Sequence, residues 1–284
     1  MEDVGATGGR LTLVATPIGN LGDLSERARA SLAAADVIYC EDTRRTRVLL
    51  SAVGIPASGR LRALNDHTEA QMTPEVVARV AAGERVVLVS DAGTPGVSDP
   101  GTRVVAAVIA AGLAVTLAPG PSAPIVALVL SGLATDRCVI EGFVPRRAGD
   151  RVRRIEEWRV ERRTIVALES PQRLAATLTD LARVEPERRV AVCRELTKLH
   201  EEVRRGTAAE LAAWARGEPV LGEIVLVIAG ASAPLARDED VVSALRERLD
   251  AGERVGEAAT AVARELGVAR RYAYERALEL RREG

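Results

Sequence analysis

Short runs of β-branched and other apolar residues alternate with segments in which apolar side chains recur at helical spacing. The short runs predict strands, and the longer Ala-rich segments between them predict helices. The predicted strands are Leu11–Ala15, Val37–Cys40, Val86–Ser90 and Val115–Leu117, and the predicted helices are Leu24–Ala34, Thr43–Val53, Pro74–Ala82 and Thr102–Ala111. This alternation predicts an α/β domain with a largely parallel sheet.

A second alternating region follows Leu133. Its predicted strands are Cys138–Glu141, Thr164–Glu169, Arg189–Cys193 and Glu223–Ala229, and its predicted helices are Pro171–Arg183 and Thr207–Arg216. The segment Ala231–Asp240 looks like a linker, because it contains Pro234 and several acidic residues. Three short amphipathic helices follow, at Val241–Leu249, Val255–Leu266 and Arg270–Leu280, and the last two resemble a helix-turn-helix.

This pattern predicts an N-terminal α/β domain over residues 1–124, a second α/β domain over 125–232 and a small helical domain over 238–284. The 284 residues are enough for two separate cores. Apolar residues make up 47% of the chain and aromatic residues only 2%, so Ala, Val, Leu and Ile must fill those cores. The net charge of −1 gives no global attraction to nucleic acid, so an RNA surface would need local Arg clusters.

The three cysteines are far apart and lack the spacing of zinc ligands, so neither a disulfide framework nor a metal site is predicted. The longest apolar stretch, Val104–Ala118, is too short to span a bilayer and is interrupted by Gly112. Residues Met1–Arg10 lack the apolar core of a signal peptide. We therefore expect a soluble, cytoplasmic protein with no membrane partner.

Four loops at predicted strand ends are rich in Gly, Pro and Asp: residues 16–23, 41–46, 90–101 and 119–123. In a parallel sheet, ligands bind beyond the carboxyl ends of the strands. Glycine lets the backbone approach a ligand closely, and proline restricts the loop. Any one loop could simply be a turn, but four on one edge favour a small-molecule site. Neither GxGxxG nor GxxxxGK[ST] occurs, which disfavours nicotinamide cofactors and nucleoside triphosphates.

The strings VATPIGNLGDLSERA, EDTRRT, LVSDAGTPGVSDPG, PGPSA and RELTK resemble the RsmI family of ribosomal RNA small-subunit methyltransferases. The similarity runs in the same order from about Leu11 to Ala229, and the C-terminal helices match the small terminal domain of that family. The resemblance implies the tetrapyrrole-methylase (class III methyltransferase) fold, in which two α/β domains enclose S-adenosyl-L-methionine. It also implies 2′-O-methylation of a cytidine in small-subunit (16S) ribosomal RNA.

The resemblance further implies which residues bind the cofactor. By motif position, Asp91, Gly93, Thr94 and Pro95 would lie beside the methionine end or the ribose. Leu168 would approach the adenine from the second domain, at a position where the family often has an aromatic residue. The remaining cofactor-binding candidates are Pro17 and Gly19 in the first loop and Ser122 and Ala123 in the fourth.

Lys198 is the only lysine among 39 basic residues, and it lies in the RELTK string. A lysine amine can lose its proton when desolvated, whereas a guanidinium effectively cannot. We therefore hypothesise that Lys198 is a catalytic base or a cation that stabilises an alkoxide, with Glu195 and Glu41 as catalytic partners. The alternative is a surface lysine without a role. Asp42 could orient the same groups or cap the helix that begins at Thr43.

Arg44 and Arg45 lie at the start of a predicted helix, where the helix dipole disfavours unpaired cations. An RNA phosphate would satisfy them, and so would a carboxylate such as Glu41. Further RNA-binding candidates are Arg146, Arg147 and Arg194. The terminal helices carry Arg and Tyr side chains and could bind RNA, stabilise the fold as a cap or form a dimer contact. His67 is a possible cleft residue.

The expected partners are small-subunit ribosomal RNA or the assembled small subunit, and the family resemblance implies a homodimer. Two other functions remain open. One is a small-molecule methylase of the same fold that acts on tetrapyrroles. The other is a non-catalytic RNA-binding protein of ribosome assembly.

Overall fold

The computed structural model describes residues 9–57, 59–217, 219–231 and 238–283. They form two compact units, one of residues 9–157 and 164–229 and the other of residues 158–163 and 230–283. No helix in the described ranges is long and apolar enough to cross a membrane. The domain boundary expected at residue 124 stays a prediction, and residues 232–237 of the expected linker lie outside the described residues.

The first sheet of the larger unit contains five parallel strands in the order β3-β2-β4-β1-β5. They are β1 (Arg10–Val14), β2 (Val37–Cys40), β3 (Leu61–Ala63), β4 (Arg85–Val89) and β5 (Ala114–Ala118). Four of these confirm the predicted strands. The fifth, β3, was not predicted, because three residues with an arginine in the middle show no period. Since all five strands are parallel, their carboxyl ends lie at one edge of the sheet.

Helices cover both faces of this sheet: α1 (Glu26–Ala34), α2 (Thr43–Ala52), α3 (Glu69–Ala81) and α4 (Thr102–Ala110). Leu32 and Leu50 are fully buried on one face, and Val76 and Val104 on the other. The predicted start of α3 at Pro74 was wrong, because the helix begins five residues earlier and accommodates the proline in its second turn. A proline therefore need not mark the first helical turn.

The second sheet has the order β6-β7-β10-β8-β9 and is mixed: β6 and β7 are parallel and the other neighbours antiparallel. Its strands are β6 (Cys138–Phe143), β7 (Thr164–Glu169), β8 (Arg189–Arg194), β9 (Glu202–Thr207) and β10 (Ile224–Ile228). Because β10 is antiparallel, it begins where its neighbours end, with Ile224 opposite both Glu169 and Arg194. Residues that precede β10 therefore share an edge with residues that follow β7 and β8.

The helices of this second part are α5 (Ala123–Ser131), α6 (Ala148–Trp158), α7 (Pro171–Val184) and α8 (Ala208–Gly217). Helix α5 was not predicted because it is apolar all round, but it packs Ala127 and Leu128 against Val166 and Val225 of the sheet. Ile18, from the loop after β1, joins the same core. The first loop of the chain is thus anchored in the core of the second sheet.

The smaller unit contains α9 (Asp238–Asp250), α10 (Val255–Leu266) and α11 (Arg270–Glu283), packed around a core that includes Leu245 and Val262. Residues 238–240, predicted as part of the linker, instead form the first turn of α9. Acidic side chains at that position are favoured by the helix dipole.

We expect the Leu178→Ala substitution to lower the free energy of unfolding by about 2–5 kcal/mol, because a large side chain is removed from a packed core. Leu178 lies on α7 and is fully buried. The matched control is Gln172→Ala on the exposed side of the same helix, which should change stability by less than about 0.5 kcal/mol. Urea unfolding measures both, and equal effects of the two substitutions would contradict the placement of α7.

Candidate functional site

Loops at the facing edges of the two sheets line one cavity of about 410 Å³. Pockets for small ligands are roughly 300–1,000 Å³, so the cavity has the size of a ligand site. From the first sheet it is lined by the loops after β1, β2, β4 and β5. From the second sheet it is lined by residues at the ends of β6, β7 and β8 and at the start of β10.

A short backbone bridge joins two of these loops. The Thr16 amide donates to the Gly93 carbonyl at 2.8 Å, and the Gly93 amide donates to the Thr16 carbonyl at 3.0 Å. The Thr94 hydroxyl then donates to the Pro121 carbonyl at 3.2 Å, which adds the loop after β5. Gly93 has a φ of +84°, a conformation that favours glycine. Three loops that are distant in sequence are thereby held together by local hydrogen bonds.

The lining of the cavity divides into an apolar and an acidic part. The apolar part comprises Ile18, Ala92, Ala123, Leu168, Leu196 and Val225, among others. The carboxylates are Glu41, Asp91, Asp99, Glu169 and Glu223, and Arg45 is the basic residue of the lining. Such a cavity suits a ligand that has an apolar ring system and positive charge.

Three of the five carboxylates have a cationic partner. Asp91 pairs with Arg45 at 3.4 Å, and Glu223 pairs with Lys198 at 3.1 Å. Glu169 is buried, pairs with Arg173 at 2.6 Å and accepts from the Thr177 hydroxyl at 2.5 Å. Its many partners indicate a structural role at the start of α7.

Glu41 and Asp99 have no ion pair within the described ranges. Burial raises the pKa of Asp99 to about 6, and the nearby charges of Glu41, Asp91 and Asp66 act in the same direction. Burial also raises the pKa of Glu41, with a further contribution from Asp91. Carboxyl groups with raised pKa values in a cavity are typical of functional sites.

Lys198 lies beside this cavity, between two carboxylates, and is not among its lining residues. Its Nζ is 2.9 Å from Glu195 Oε1 and 3.1 Å from Glu223 Oε2. Burial lowers the pKa of Lys198, but the hydrogen bonds to both carboxylates outweigh that effect, so the pKa is raised. The same contact with Lys198 lowers the pKa of Glu195. This arrangement favours a permanent cation over a proton acceptor, and Glu41 is not a partner of Lys198.

The loop that bears Lys198 has an unusual backbone. Glu195 and Thr197 have φ values of +51° and +66°, which are uncommon for residues with a side chain. The Thr197 hydroxyl is buried and has no hydrogen-bond partner in the part of the chain that the structure describes. Conformations of this kind cost about 1–3 kcal/mol each and are concentrated at functional sites.

The structure brings eight of the predicted site residues to the cavity: Glu41, Arg45, Asp91, Gly93, Thr94, Ser122, Ala123 and Leu168. Pro17, Gly19 and Pro95 are not among the lining residues, nor is Glu195. Gly19 instead packs against the 195–198 loop, where a Cβ would lie 2.3 Å from Lys198 Cγ. His67 is exposed and does not line the cavity.

The arginines predicted to bind RNA are spread over the surface. Arg44 pairs with Asp42 at 3.0 Å, so the carboxylate partner of Arg44 is Asp42 and not Glu41. Asp42 also caps α2 by accepting from the Arg44 amide, and these contacts lower its pKa to about 2. Arg194 pairs with Glu202 at 2.9 Å, whereas the other two, Arg146 and Arg147, are exposed in the loop before α6.

The sequence did not reveal two residues of the cavity lining, Asp99 and Glu223, and one residue that supports a lining loop, Glu69. Asp99 stands in a loop that the sequence singled out, but nothing in the motif distinguishes it from Asp91. Glu223 was missed because it was predicted as the first residue of a strand, and only the antiparallel direction of β10 places it at this edge. Glu69 accepts hydrogen bonds from the amides of Gly101 and Arg103, both at 3.0 Å, and no local pattern reveals a contact over such a sequence distance.

Known proteins share this architecture. The sequence model of the tetrapyrrole (corrin/porphyrin) methylases matches residues 10–212. A protein of Mycobacterium tuberculosis named ribosomal RNA small subunit methyltransferase I is 48% identical over 97% of this chain and 96% of its own length. The protein of the same name from Synechocystis is 43% identical over 97% of this chain and 100% of its own length. A crystal structure of diphthine synthase shares the fold, with a TM-score of 0.60, 18% identity and coverage of 78% of this chain and 90% of that one.

We expect the Gly19→Ala substitution to destabilise the protein by about 1–3 kcal/mol, because overpacking would displace the 195–198 loop. The new Cβ would lie 2.9 Å from Thr197 Oγ1 and 3.0 Å from the Leu196 carbonyl oxygen, in addition to its clash with Lys198. The control is Gly149→Ala, since a Cβ there meets nothing within 4 Å. Thermal unfolding compares both with wild type, and an unchanged melting temperature of Gly19→Ala would show that Gly19 does not pack against this loop.

Proposed function

Because the chain belongs to the tetrapyrrole methylase family, and within it to the ribosomal RNA small subunit methyltransferases I, we propose that it methylates a ribose 2′-hydroxyl. The donor is S-adenosyl-L-methionine and the acceptor is a cytidine of 16S ribosomal RNA, in the naked RNA or in the assembled subunit of the cytoplasm. The observation that supports the donor is a cavity that strand-end loops of both sheets build together.

The residues of the cavity fit this donor. Leu168, Ala123 and Val225 offer an apolar surface for an adenine ring, and Asp91 and Asp99 offer negative charge to the ammonium and sulfonium groups. Gly93 and Thr94 present backbone close to the cavity because the bridge to Thr16 fixes them. When bound, S-adenosylmethionine supplies a methyl group on a positively charged sulfur. The chain aligns this group, keeps water away from it and receives the proton of the acceptor hydroxyl.

Lys198 serves in this proposal as a fixed cation beside the cavity. It holds Glu223, which lines the cavity, and Glu195, whose Oε1 also accepts from the Glu223 amide at 2.9 Å. Losing the ammonium would leave two neighbouring carboxylates without their shared partner. Lys198 therefore stabilises the negative charge of the wall and positions the RELTK loop for the acceptor.

The RNA contact that the proposal favours is Arg45. Its side chain is 68% exposed although it lines the cavity, so it can reach a phosphate at the cavity mouth. Arg44, 85% exposed on the same helix, extends this basic surface. In the proposal, Arg146, Arg147 and Arg194 contribute further phosphate contacts.

The homodimer remains part of the proposal. Ile125 and Val129 lie one turn apart on α5 and are 48% and 66% exposed, respectively. Leu117, on the edge strand β5, is 37% exposed. Exposed apolar groups of this kind are typical of protein contact surfaces, and a second copy of the chain would cover them.

The experiment that tests the function is incubation with methyl-labelled S-adenosylmethionine and one of three acceptors: small subunits, naked 16S RNA or a tetrapyrrole. The proposal predicts label in RNA, on a cytidine that resists alkaline hydrolysis at its 3′ side. Label in the pigment would instead identify a small-molecule methylase. Donor binding without transfer would identify a non-catalytic RNA-binding protein.

We expect Lys198→Met to lower the transfer rate at least about tenfold, because truncating one partner of a charge pair leaves the other unpaired. Lys198→Arg should restore part of the rate, since it keeps the charge but not the compact geometry. The control is Arg183→Met, on an exposed part of α7. Single-turnover kinetics with labelled donor measure all three, and an unchanged rate in Lys198→Met would rule out a role for this cation.

For Arg45→Ala we expect a three- to tenfold rise in the KM for RNA. The slope of log affinity for RNA against log salt concentration should become shallower by about one, which corresponds to one phosphate contact. The affinity for the donor should change less, because Arg45 reaches the cavity only at its mouth. Arg29→Ala, on the exposed face of α1, is the matched control. An identical salt slope in wild type and Arg45→Ala would contradict a phosphate contact.

A further inference from the structure

We propose that Asp99 is the catalytic base that accepts the proton of the ribose 2′-hydroxyl, an inference that rests on the proposed function. Lys198 and Glu41 are the other candidates at this site. The choice among them follows from the position of the Asp99 loop, from the partners of the neighbouring carboxylates and from the surrounding charges.

The Asp99 loop is fixed where the two sheets face each other. Ser98 has a φ of +64°, and its Oγ lies 3.5 Å from where a Cβ of Gly142 would stand on β6. Gly142 is itself at a bulge of β6, and the next residue, Phe143, lines the cavity. At the other end of the loop, Glu69 holds the amide of Gly101. Asp99 thus lies at the cavity wall, between a residue close to β6 and a residue whose amide Glu69 holds.

The ion pairs of the other charged groups at the cavity leave few candidates for the proton acceptor. The carboxylates of Asp91, Glu169 and Glu223 each pair with a cation, so we look for the proton acceptor among the lining carboxylates that have no ion pair. The Lys198 amine is engaged with two carboxylates and holds its proton. Only Glu41 and Asp99 remain among the described lining carboxylates. Each has one hydrogen-bond partner, Asp91 for Glu41 and Ser90 for Asp99, and of the two we propose Asp99 because its loop is positioned both beside β6 and by Glu69.

The charges around Asp99 suit proton transfer near neutral pH. Burial and the charges of Glu41, Asp91 and Asp66 raise the pKa of Asp99, and contact with the Ser90 hydroxyl offsets part of this rise. The other charged groups of the lining, Arg45, Glu169 and Glu223, all have partners of opposite charge. General bases act best when their pKa lies close to the working pH.

The step balances as a displacement with proton transfer. The bond between the ribose O2′ and the methyl carbon forms while the bond between that carbon and the sulfonium sulfur breaks, and its electron pair stays on sulfur. The O2′–H electron pair remains on oxygen, and the proton passes to the Asp99 carboxylate. The products are a 2′-O-methyl ribose, a neutral thioether and a protonated Asp99, which loses its proton to solvent.

The kinetic test compares wild type, Asp99→Asn, Glu41→Gln and, as matched control, Asp66→Asn. Asp66 is exposed and lies outside the lining, so its substitution should leave the plateau rate unchanged. We expect Asp99→Asn to lower the transfer rate at saturating donor at least about 100-fold, and calorimetry should show a much smaller loss of donor affinity from the removed negative charge. In wild type, kcat/KM should fall as the pH drops through about 6, because protonated Asp99 cannot accept a proton.

Glu41→Gln separates the two remaining carboxylates. Because the charge of Glu41 raises the pKa of Asp99, removing it should move the acid limb of the pH profile to lower pH and should lower the plateau rate far less than Asp99→Asn does. If Glu41 were the base, Glu41→Gln would abolish transfer and Asp99→Asn would not. That result would overturn the proposal.

A second measurement, the pH dependence of the melting temperature, does not require methyl transfer. Since the pKa of Asp99 in the folded protein is about 6 and its ordinary value is 3.8, ionisation destabilises the fold as pH rises between these values. Asp99→Asn should therefore match the wild-type melting temperature below about pH 4 and exceed it at pH 8. An equal melting temperature at pH 8 would show that Asp99 is an ordinary surface carboxylate.

The outcomes distinguish the inference from the function on which it rests. If wild type transfers no methyl group to RNA, the proposed function fails whatever Asp99 does. If wild type transfers and Asp99→Asn transfers at the same rate and with the same pH profile, only the role of Asp99 fails.

Discussion

The two backbone hydrogen bonds between Thr16 and Gly93 hold the site together. They join the loop after β1 to the loop after β4, whose strands are neighbours in the first sheet. Beyond this bridge, Ile18 enters the core of the second sheet and Thr94 holds the loop after β5. The shape of the cavity therefore depends on the stability of the fold. Because these loops are already ordered by the fold, ligand binding costs little conformational entropy.

The cavity also concentrates negative charge that the protein neutralises only in part. Arg45, Arg173 and Lys198 each pair with one lining carboxylate, whereas Glu41 and Asp99 remain without an ion pair among the described residues. An unpaired, desolvated carboxylate costs free energy and attracts a cationic ligand. This excess charge suits a sulfonium donor.

The sequence predicted the first sheet well, because buried parallel strands form continuous apolar runs and their helices repeat at a clear period. It missed β9, whose residues include two adjacent arginines, and α5, which has no polar face from which to read a period. The loops of the site were found because Gly, Pro and Asp concentrate at strand ends. Asp99, Glu69 and Glu223 act through contacts across the fold, and no single segment of sequence contains that information. The sole lysine was a useful signal, but only the structure showed that two carboxylates hold its ammonium group.

A crystal structure with S-adenosylhomocysteine tests most directly whether strand-end loops of both sheets build one donor site. The account predicts the ligand in the cavity between the 91–94 and 122–124 segments on one side and the 168–171 and 222–225 segments on the other. Its sulfur should face Asp99. Ligand density elsewhere on the chain, or contacts with the loops of only one sheet, would contradict the account.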